Sequence, residues 1–270
     1  MFNKFTPTSQ LARSGNRALD DLRDLKVTYD MFPYAGGSVL FEIGNTKILC
    51  AVTLQNGVPH FLRGKRSGWL TAEYALLPTS TPTRTVREST TNKRNGRNIE
   101  ISRLIGRALR SVVRLDVFNE KTIFIDCDVL QADGGTRTAS IIGAYLALRA
   151  AQVTWYNSGD ISELFLRDEL AAISVGTGDR GTLLDMDFTE DSMTDSDFNF
   201  VITRSGGVVE IQGSAEKRPI TWESYEDIQR TALIGSKRLF SFYDDNLYKP
   251  TMKREHMFRP SLDMRALDDF

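Results

Sequence analysis

The sequence predicts an α+β fold in which mixed β-sheets pack against helices. Two observations support this prediction. Strand-like alternation of apolar residues dominates the first third of the chain, and segments with helical spacing are interspersed with further strands after it. The chain has 270 residues, of which 41% are hydrophobic and 26% charged, as is ordinary for a globular protein. A chain of this length can bury a sizeable core.

The first predicted strands form a hairpin. Residues 38–42 and 47–54 alternate or are continuously apolar, and Gly44-Asn45 between them is a turn signal. Residues 80–98 are polar without apolar periodicity, which predicts a long mobile loop. Residues 99–113 then show the apolar spacing of a helix, and the arginines of this helix share one side of it. These are Arg103, Arg107, Arg110 and Arg114, which we interpret mainly as salt-bridging residues within or between subunits and only secondly as contacts to a phosphate backbone.

The second half of the chain alternates between predicted strands and helices. The predicted strands are residues 122–129, 171–176, 182–188 and 198–203. The predicted helices are residues 136–150, 161–169 and 221–242, the last with Thr221 as its N-cap. We expect a single domain over residues 13–242, with an N-terminal extension over residues 1–12 and a C-terminal extension over residues 243–270.

The composition favours a cytoplasmic protein. No apolar run approaches the length that spans a bilayer, and the N-terminus lacks the apolar segment of a secretory signal. Cys50 and Cys127 lie in strand-like apolar runs, which predicts buried free thiols.

The net charge of −1 conceals two segments of opposite charge. Residues 84–114 contain nine Lys or Arg and two acids, whereas residues 185–197 contain six acids and no base. A local basic stripe is enough to hold a phosphate backbone.

A glycine-rich turn between the strand at 122–129 and the following helix predicts an anion site. Gly134 and Gly135 let the backbone bend and approach a ligand closely, since neither carries a Cβ. The turn presents N–H groups at a helix start, where the dipole favours an anion. Arg137 adds a planar donor suited to phosphate oxygens. The turn lacks the Lys-Ser/Thr ending of a nucleotide P-loop.

Several motifs in family order resemble those of the bacterial ribonuclease PH family. They are Gly37-Ser-Val-Leu40, Val58-Pro-His-Phe-Leu62, Gly68-Trp-Leu-Thr-Ala-Glu-Tyr74, Gly96-Arg-Asn-Ile-Glu-Ile-Ser-Arg-Leu-Ile-Gly-Arg-Ala-Leu-Arg110, Cys127 to Leu148, Ala172-Ile-Ser-Val-Gly176 and Leu184-Asp-Met-Asp-Phe-Thr-Glu-Asp191. The resemblance implies the RNase PH-like fold, related to ribosomal protein S5 domain 2. It further implies a phosphate-dependent 3′-to-5′ exoribonuclease, or tRNA nucleotidyltransferase, that trims tRNA precursors, releases nucleoside diphosphates and works reversibly. Such enzymes form a homohexameric ring, a trimer of dimers.

The resemblance also implies roles for individual residues. Arg97, Thr136 and Arg137 match phosphate-binding positions, together with the Gly135 turn. Arg84 and Arg87 match arginines that hold RNA; the alternative for both is a solvated loop.

The acidic segment offers metal ligands. Alternation along residues 183–188 predicts that Asp185 and Asp187 share one strand face, with Asp191 just beyond it. Such carboxylates suit Mg²⁺ or Mn²⁺, although a solvated strand face is the alternative. In the family, Asp185 and Asp191 match the two metal-associated catalytic carboxylates, with Asp187 as a third candidate.

The chain departs from the family pattern at a few positions. Thr79 replaces an arginine that contacts RNA, Ile142 replaces a threonine near the phosphate turn, and residues 13–17 diverge from the usual Arg-x-Asp-Gly-Arg. Two other functions therefore stay open. One is a catalytically silent RNA-binding subunit, which would not need the acidic pair. The other is a metal-dependent nuclease that uses water, which would leave the Arg137 turn without a purpose.

Overall fold

The computed structural model describes residues 13–91 and 95–250. Within these residues, the first five strands form a mixed sheet. Its strands are β1 (Leu25–Tyr29), β2 (Gly37–Ile43), β3 (Thr46–Asn56), β4 (Trp69–Leu76) and β5 (Lys121–Gln131). They lie in the order β1-β2-β3-β5-β4, and only the β4–β5 pair is parallel. The parallel pair requires a crossover. That crossover contains the one-turn helix α1 (Glu88–Thr91) and the longer helix α2 (Gly96–Arg110).

A second, antiparallel sheet follows the long helix α3 (Thr136–Ser158). Its strands are β6 (Leu170–Gly178), β7 (Gly181–Leu184), β8 (Ser196–Thr203) and β9 (Val208–Ala215), in the order β7-β6-β8-β9. The short helix α4 (Phe188–Met193) connects β7 to β8, and α5 (Trp222–Asp245) follows β9. Helix α5 packs on β6 and β7.

Helix α3 is the centre of the core. It packs against β2 and β3 of the first sheet and against β6 of the second. Residues on all sides of it are buried, among them Ile141, Ala144 and Leu148. A helix that is apolar all round is stable only when other elements cover it on every side. The position of α3 between the sheets therefore fixes where its N-terminus, and the glycine turn before it, must lie.

The structure confirms most of the predicted elements. The hairpin of β2 and β3 turns at Gly44-Asn45, with Gly44 at a φ of 55°. Helix α2 begins three residues before the predicted start and is capped by the Asn95 side chain, which accepts from the Arg97 N–H at 2.9 Å. The predicted loop at 80–98 is largely irregular but contains α1 and the start of α2. Thr221 caps α5 as predicted.

The predicted helix at residues 161–169 is wrong. Leu166 instead forms an isolated antiparallel bridge with Val113. The backbone N–H groups of Phe165 and Leu166 donate to the Gln152 side chain at 2.8 and 2.7 Å. Phe165 is fully buried against Phe118. Tertiary packing and one glutamine thus satisfy this segment without helical hydrogen bonds.

The predicted strand at residues 182–188 is also wrong beyond its first half. Strand β7 ends at Leu184, and Asp185 adopts a φ of 50°, which a regular strand cannot contain. Asp187 is the N-cap of α4 and forms a capping box with Glu190. The expected alternation fails as a result, because Asp185 and Asp187 are buried whereas Phe188 is 59% exposed.

The proposed division into a domain and two extensions stays a prediction. Residues 1–12 and 251–270 lie outside the described residues, and α5 continues across the predicted boundary at 242 to Asp245. Across residues 13–91 and 95–250, no helix is both long and apolar enough to span a bilayer. Cys50 and Cys127 are buried free thiols, as predicted, with their sulfurs 3.6 Å apart.

A single methyl group tests the packing of α3. A Cβ on Gly37 would lie 2.1 Å from the Ala147 carbonyl oxygen and 2.5 Å from the Ala151 nitrogen. We expect Gly37→Ala to lower the free energy of unfolding by about 1–3 kcal/mol, because backbone on both elements must shift. The control is Gly178→Ala, since no described residue other than its chain neighbours has an atom within 4 Å of that Cβ position. Equal urea-unfolding midpoints for both variants would contradict the close packing.

Candidate active site

The glycine turn forms the N-terminus of α3. Gly134 and Gly135 have φ angles of 76° and 64°, a region that favours glycine, and Gly135 is the N-cap. The first helical hydrogen bond runs from Ala139 N–H to the Gly135 carbonyl. The N–H groups of the first turn before Ala139 therefore have no partner within the helix. With the helix dipole, they form a surface that favours an anion.

The turn is pressed against the loop between β7 and α4. A Cβ on Gly134 would lie 2.5 Å from the Met186 carbonyl oxygen and 2.6 Å from the Asp187 carbonyl carbon. The Phe188 N–H donates to the Asp133 carboxylate at 3.3 Å across the same contact. The turn and the start of α4 are therefore adjacent, although they are far apart in sequence.

Thr136 lies in the first turn of α3 and is buried. Its hydroxyl is 3.0 Å from the hydroxyl of Tyr74 on β4. Burial raises the pKa of Tyr74, although Thr136, Arg97 and Arg137 act in the opposite direction. Tyr74 therefore stays a neutral hydroxyl group that fixes the Thr136 side chain.

The Arg137 side chain has one unsatisfied hydrogen-bond donor within the described residues. Its Nε is buried and lacks a hydrogen-bond partner within the described residues. The remaining contacts are long for a guanidinium, at 3.5 Å from Nη1 to Gln212 and 3.4 Å from Nη2 to Glu100. An unsatisfied buried N–H is costly, so a ligand that accepts from Arg137 would gain that free energy.

Arg97 stands at the exposed beginning of α2, where its positive charge faces the unfavourable end of the helix dipole. It acts on the same groups as Arg137: both arginines lower the pKa of Tyr74 and counteract the rise in the pKa of Asp191. Arg97, Thr136 and Arg137 therefore all lie close enough to Tyr74 to affect the pKa of its hydroxyl. Their role in phosphate binding stays a prediction.

Several carboxylates interact electrostatically with Arg137. Partial desolvation and the charge of Glu216 raise the pKa of Asp191. Burial, with the Asp191 charge second, raises the pKa of Asp197 on β8 to about 6. Arg137 acts in the opposite direction on both carboxylates but does not offset burial and the neighbouring charges. Asp191, Asp197 and Glu216 thus form an excess of negative charge next to two arginines.

Asp185 and Asp187 have different surroundings from Asp191. The Arg23 side chain donates to both Asp185 oxygens, at 2.7 and 2.9 Å, and the Arg23 backbone N–H donates at 2.8 Å. Asp187 accepts from the Glu190 N–H at 2.8 Å, and although burial opposes it, this bond lowers the pKa of Asp187. Both carboxylates are therefore occupied by partners of the protein itself. Their predicted metal role stays a prediction.

The other predicted residues lie further along the surface. Arg84 and Arg87 are exposed on the connection between β4 and α2. Thr79 is exposed at the start of that connection, and Ile142 is buried in α3.

The arginines predicted to form a stripe make intramolecular contacts, although α2 ends at Arg110 and Arg114 lies beyond it. Arg107 pairs with Glu210, Arg114 pairs with Glu163 at 2.9 Å, and Arg110 stacks on Trp69 at 4.7 Å.

Sequence reasoning missed two residues of this region. Asp197 stands on a strand whose neighbours Ser196 and Phe198 are buried, so alternation assigns it to a solvated face. Arg23 precedes β1, belongs to none of the quoted motifs, and nothing local indicates that it is buried. A possible signal for Asp197 was its membership of the acidic segment, which concentrates charge that only a cation or arginines could offset.

Comparison with sequence families and relatives gives consistent results. The sequence model described as "3′ exoribonuclease family, domain 1" matches residues 21–154. The chain is 52% identical over 232 residues to ribonuclease PH of Neisseria meningitidis serogroup B, covering 86% of this chain and 96% of the relative. It is 48% identical over 227 residues to ribonuclease PH of Tropheryma whipplei strain Twist, covering 84% of this chain and 92% of the relative.

Solved structures show the same fold at lower identity. Rice (Oryza sativa) Rrp46 aligns with a TM-score of 0.71 and 20% identity, over 87% of this chain and 100% of the Rrp46 chain. The Archaeoglobus fulgidus exosome with RNA bound to its active site aligns with a TM-score of 0.73 and 22% identity, over 86% of this chain and 93% of that chain. At these identities the likeness concerns the fold alone.

The raised pKa of Asp197 predicts a pH-dependent effect on stability. A carboxyl group that binds its proton more tightly when folded loses stability as the pH rises from about 4 to about 6. We expect Asp197→Asn to be more stable than the natural chain by about 1–2 kcal/mol at neutral pH, after allowance for solvent screening, and equally stable near pH 4. Urea unfolding in metal-free, phosphate-free buffer measures this difference.

The control for this prediction is Asp195→Asn, which should have the opposite sign. The Asp195 carboxylate pairs with Arg218 at 2.7 Å, so its loss removes a favourable contact. If Asp197→Asn were no more stable than the natural chain at neutral pH, Asp197 would not carry an uncompensated charge.

Proposed function

Because the chain belongs to the ribonuclease PH family of 3′ exoribonucleases and has its fold, we propose that it trims the 3′ ends of tRNA precursors by phosphorolysis. Inorganic phosphate is the co-substrate, and nucleoside diphosphates are the products. The observation that carries this proposal is the unsatisfied Nε of Arg137 beside the first turn of α3. A nuclease that uses water has no need of such an anion site.

Phosphate would be bound by groups from two helices. The first turn of α3 offers N–H groups, the Thr136 hydroxyl and the Arg137 guanidinium, and α2 offers Arg97. A tetrahedral dianion has enough acceptor oxygens for all of these donors. Because Tyr74 fixes the Thr136 side chain, part of the site is preorganised before phosphate arrives.

The reaction itself needs no protein nucleophile. A phosphate oxygen attacks the last phosphodiester phosphorus, the bond from that phosphorus to the 3′ oxygen of the preceding nucleotide breaks, and the departing oxygen takes a proton. The RNA becomes one nucleotide shorter and a nucleoside diphosphate is released. The protein contributes position and electrostatic stabilisation, which dominate catalysis of phosphoryl transfer. Since the phosphodiester is replaced by a phosphoanhydride of comparable free energy, the reaction runs in both directions.

We place the divalent cation, Mg²⁺ or Mn²⁺, at Asp191 and Asp197. Burial and, second to it, a neighbouring carboxylate raise the pKa of both groups, and a bound cation would offset both effects. Within the described residues, no three His, Cys, Asp or Glu side chains converge to hold a metal by themselves. That fits Mg²⁺, which usually takes one or two carboxylates beside substrate phosphates. When bound, the cation supplies charge neutralisation to the phosphates.

The fit is poorer at Asp185 and Asp187. Arg23 occupies both oxygens of Asp185, and the Glu190 N–H occupies Asp187. Binding of a cation there would first have to break a buried ion pair. Of the three carboxylates that the sequence indicates, we therefore retain Asp191 as the metal ligand and catalytic carboxylate.

RNA would approach along the exposed arginines. Arg84 and Arg87 lie on a polar connection whose end is tied to α2 by Glu88, which accepts from Asn98 at 2.8 Å. Each such arginine contributes a phosphate contact without base specificity.

We also propose that the chain works as a homohexameric ring in the cytoplasm. The connection between β1 and β2 exposes three apolar side chains, Met31, Phe32 and Tyr34, which other subunits would cover. The buried free thiols suit a reducing compartment.

The first test measures phosphate dependence. Purified protein is incubated with a 3′-extended tRNA precursor and Mg²⁺, with and without inorganic phosphate, and the released nucleotides are identified. We expect nucleoside diphosphates, and only with phosphate. Arg137→Ala should lower kcat/KM for phosphate about 10- to 100-fold, because it removes charged hydrogen bonds.

The matched control is Arg230→Ala, an exposed arginine of α5 whose ion pair within the described chain is with Asp227, one turn away. It should leave the kinetics unchanged. Release of nucleoside monophosphates without phosphate would replace phosphorolysis with hydrolysis. RNA binding without any release would favour the silent-subunit function.

A second test concerns the carboxylates. Asp191→Asn should lower kcat at least about 100-fold while sparing RNA binding, because it removes charge that acts in the transition state. Asp195→Asn, four residues along and paired with Arg218, is the control. Unchanged turnover in Asp191→Asn would exclude this carboxylate from the metal site.

A further inference from the structure

Arg23 joins two parts of the site that are separate in sequence. It precedes β1, is only 5% exposed, and lies between the glycine turn and the loop that follows β7. A Cβ on Gly135 would be 3.1 Å from its Nη2, so the guanidinium is packed directly on the turn.

One edge of the guanidinium neutralises Asp185. Nε and Nη2 donate to the two carboxylate oxygens at 2.9 and 2.7 Å. Asp185 Oδ1 would lie 3.9 Å from a Cβ on Gly135. An uncompensated carboxylate at that distance from the turn would repel a phosphate ion.

The other donors of Arg23 hold the turn itself. Nη1 donates to the Asp133 carbonyl at 2.5 Å, and Nη2 lies 3.4 Å from the Gly134 carbonyl. No peptide bond of the described chain is cis, so each of these carbonyls points opposite to the N–H of the next residue. By holding the two carbonyls, Arg23 orients the N–H groups of Gly134 and Gly135 away from itself.

We propose that Arg23 is a positioning residue for the phosphate co-substrate. It sets the direction of the turn's N–H groups and neutralises the nearby Asp185 carboxylate, without contacting phosphate itself. This inference rests on the proposed phosphorolytic function and names a residue that acts on one substrate of that reaction. A fork of donors is needed because the two tasks lie on different edges of the side chain.

The test is Arg23→Lys, assayed for phosphate and RNA dependence. Lysine keeps the charge near Asp185 but cannot hold the carboxylate and the Asp133 carbonyl together. We expect KM for phosphate to rise about tenfold, with kcat at saturating phosphate within about threefold of the natural enzyme and KM for RNA unchanged. A merely structural role would lower the active fraction, and hence kcat, with both KM values unchanged.

Arg13→Lys is the matched control. Arg13 belongs to the same segment, is also 5% exposed, and makes a bidentate pair with Glu190 at 2.7 and 3.0 Å. Its other hydrogen bonds within the described residues go to the backbone carbonyls of residues 18, 19, 184 and 185, and none goes to residues 133–135. Arg13→Lys should lower the free energy of unfolding about as much as Arg23→Lys does, without raising KM for phosphate. An equal rise in both variants, or none in Arg23→Lys, would overturn the assignment.

A second variant covers the case in which Arg23→Lys fails to fold. The Thr46 hydroxyl donates to the Gly134 carbonyl at 2.7 Å and accepts from the Asp133 N–H at 2.9 Å, so it holds the same turn from β3. Thr46→Val, of similar shape, should raise KM for phosphate about three- to tenfold if the turn's orientation matters. An unchanged KM would contradict the inference. Absence of phosphate dependence in the natural enzyme would instead overturn the proposed function, and this inference with it.

Discussion

The candidate site depends on one contact, between the glycine turn before α3 and the loop after β7. Gly134 lies so close to the Met186 carbonyl that no side chain fits between them. The turn belongs to the first sheet and α3, whereas the loop belongs to the second sheet and α4. Because α3 packs between both sheets, this contact joins them at the end where the helix dipole is positive. Arginines from one side and carboxylates from the other consequently meet there.

The charges around this contact fall into two groups. Arg13, Arg17 and Arg23 are paired with Glu190 and Asp185 in a buried network that is balanced by its own hydrogen bonds. Such a network is costly to break and does not itself bind a ligand, since its donors and acceptors are already used. Next to it, the Asp191 and Asp197 carboxylates and the Arg137 guanidinium lack full compensation. Groups left unbalanced in a folded protein are the ones that gain most from a ligand.

The sequence allowed the hairpin, α3, α5 and the family to be predicted, because each has a strong local pattern or a long motif. It failed where distant residues decide the structure. Gln152 and Phe118 hold residues 161–169 out of a helix, and the positive φ of Asp185 ends a strand that the alternation would continue. The same reason explains the site. Gly135, Thr136, Arg137 and Asp191 stand in recognisable motifs, whereas Arg23 and Asp197 gain their positions from contacts that only the folded chain contains.

Direct titration most simply tests whether the start of α3 binds inorganic phosphate. Calorimetric titration of phosphate into the RNA-free protein with Mg²⁺ should show saturable binding of about one phosphate per chain, which Arg137→Ala abolishes. Absence of saturable binding, at phosphate concentrations that support shortening of RNA, would contradict the claim and move the co-substrate to another part of the molecule.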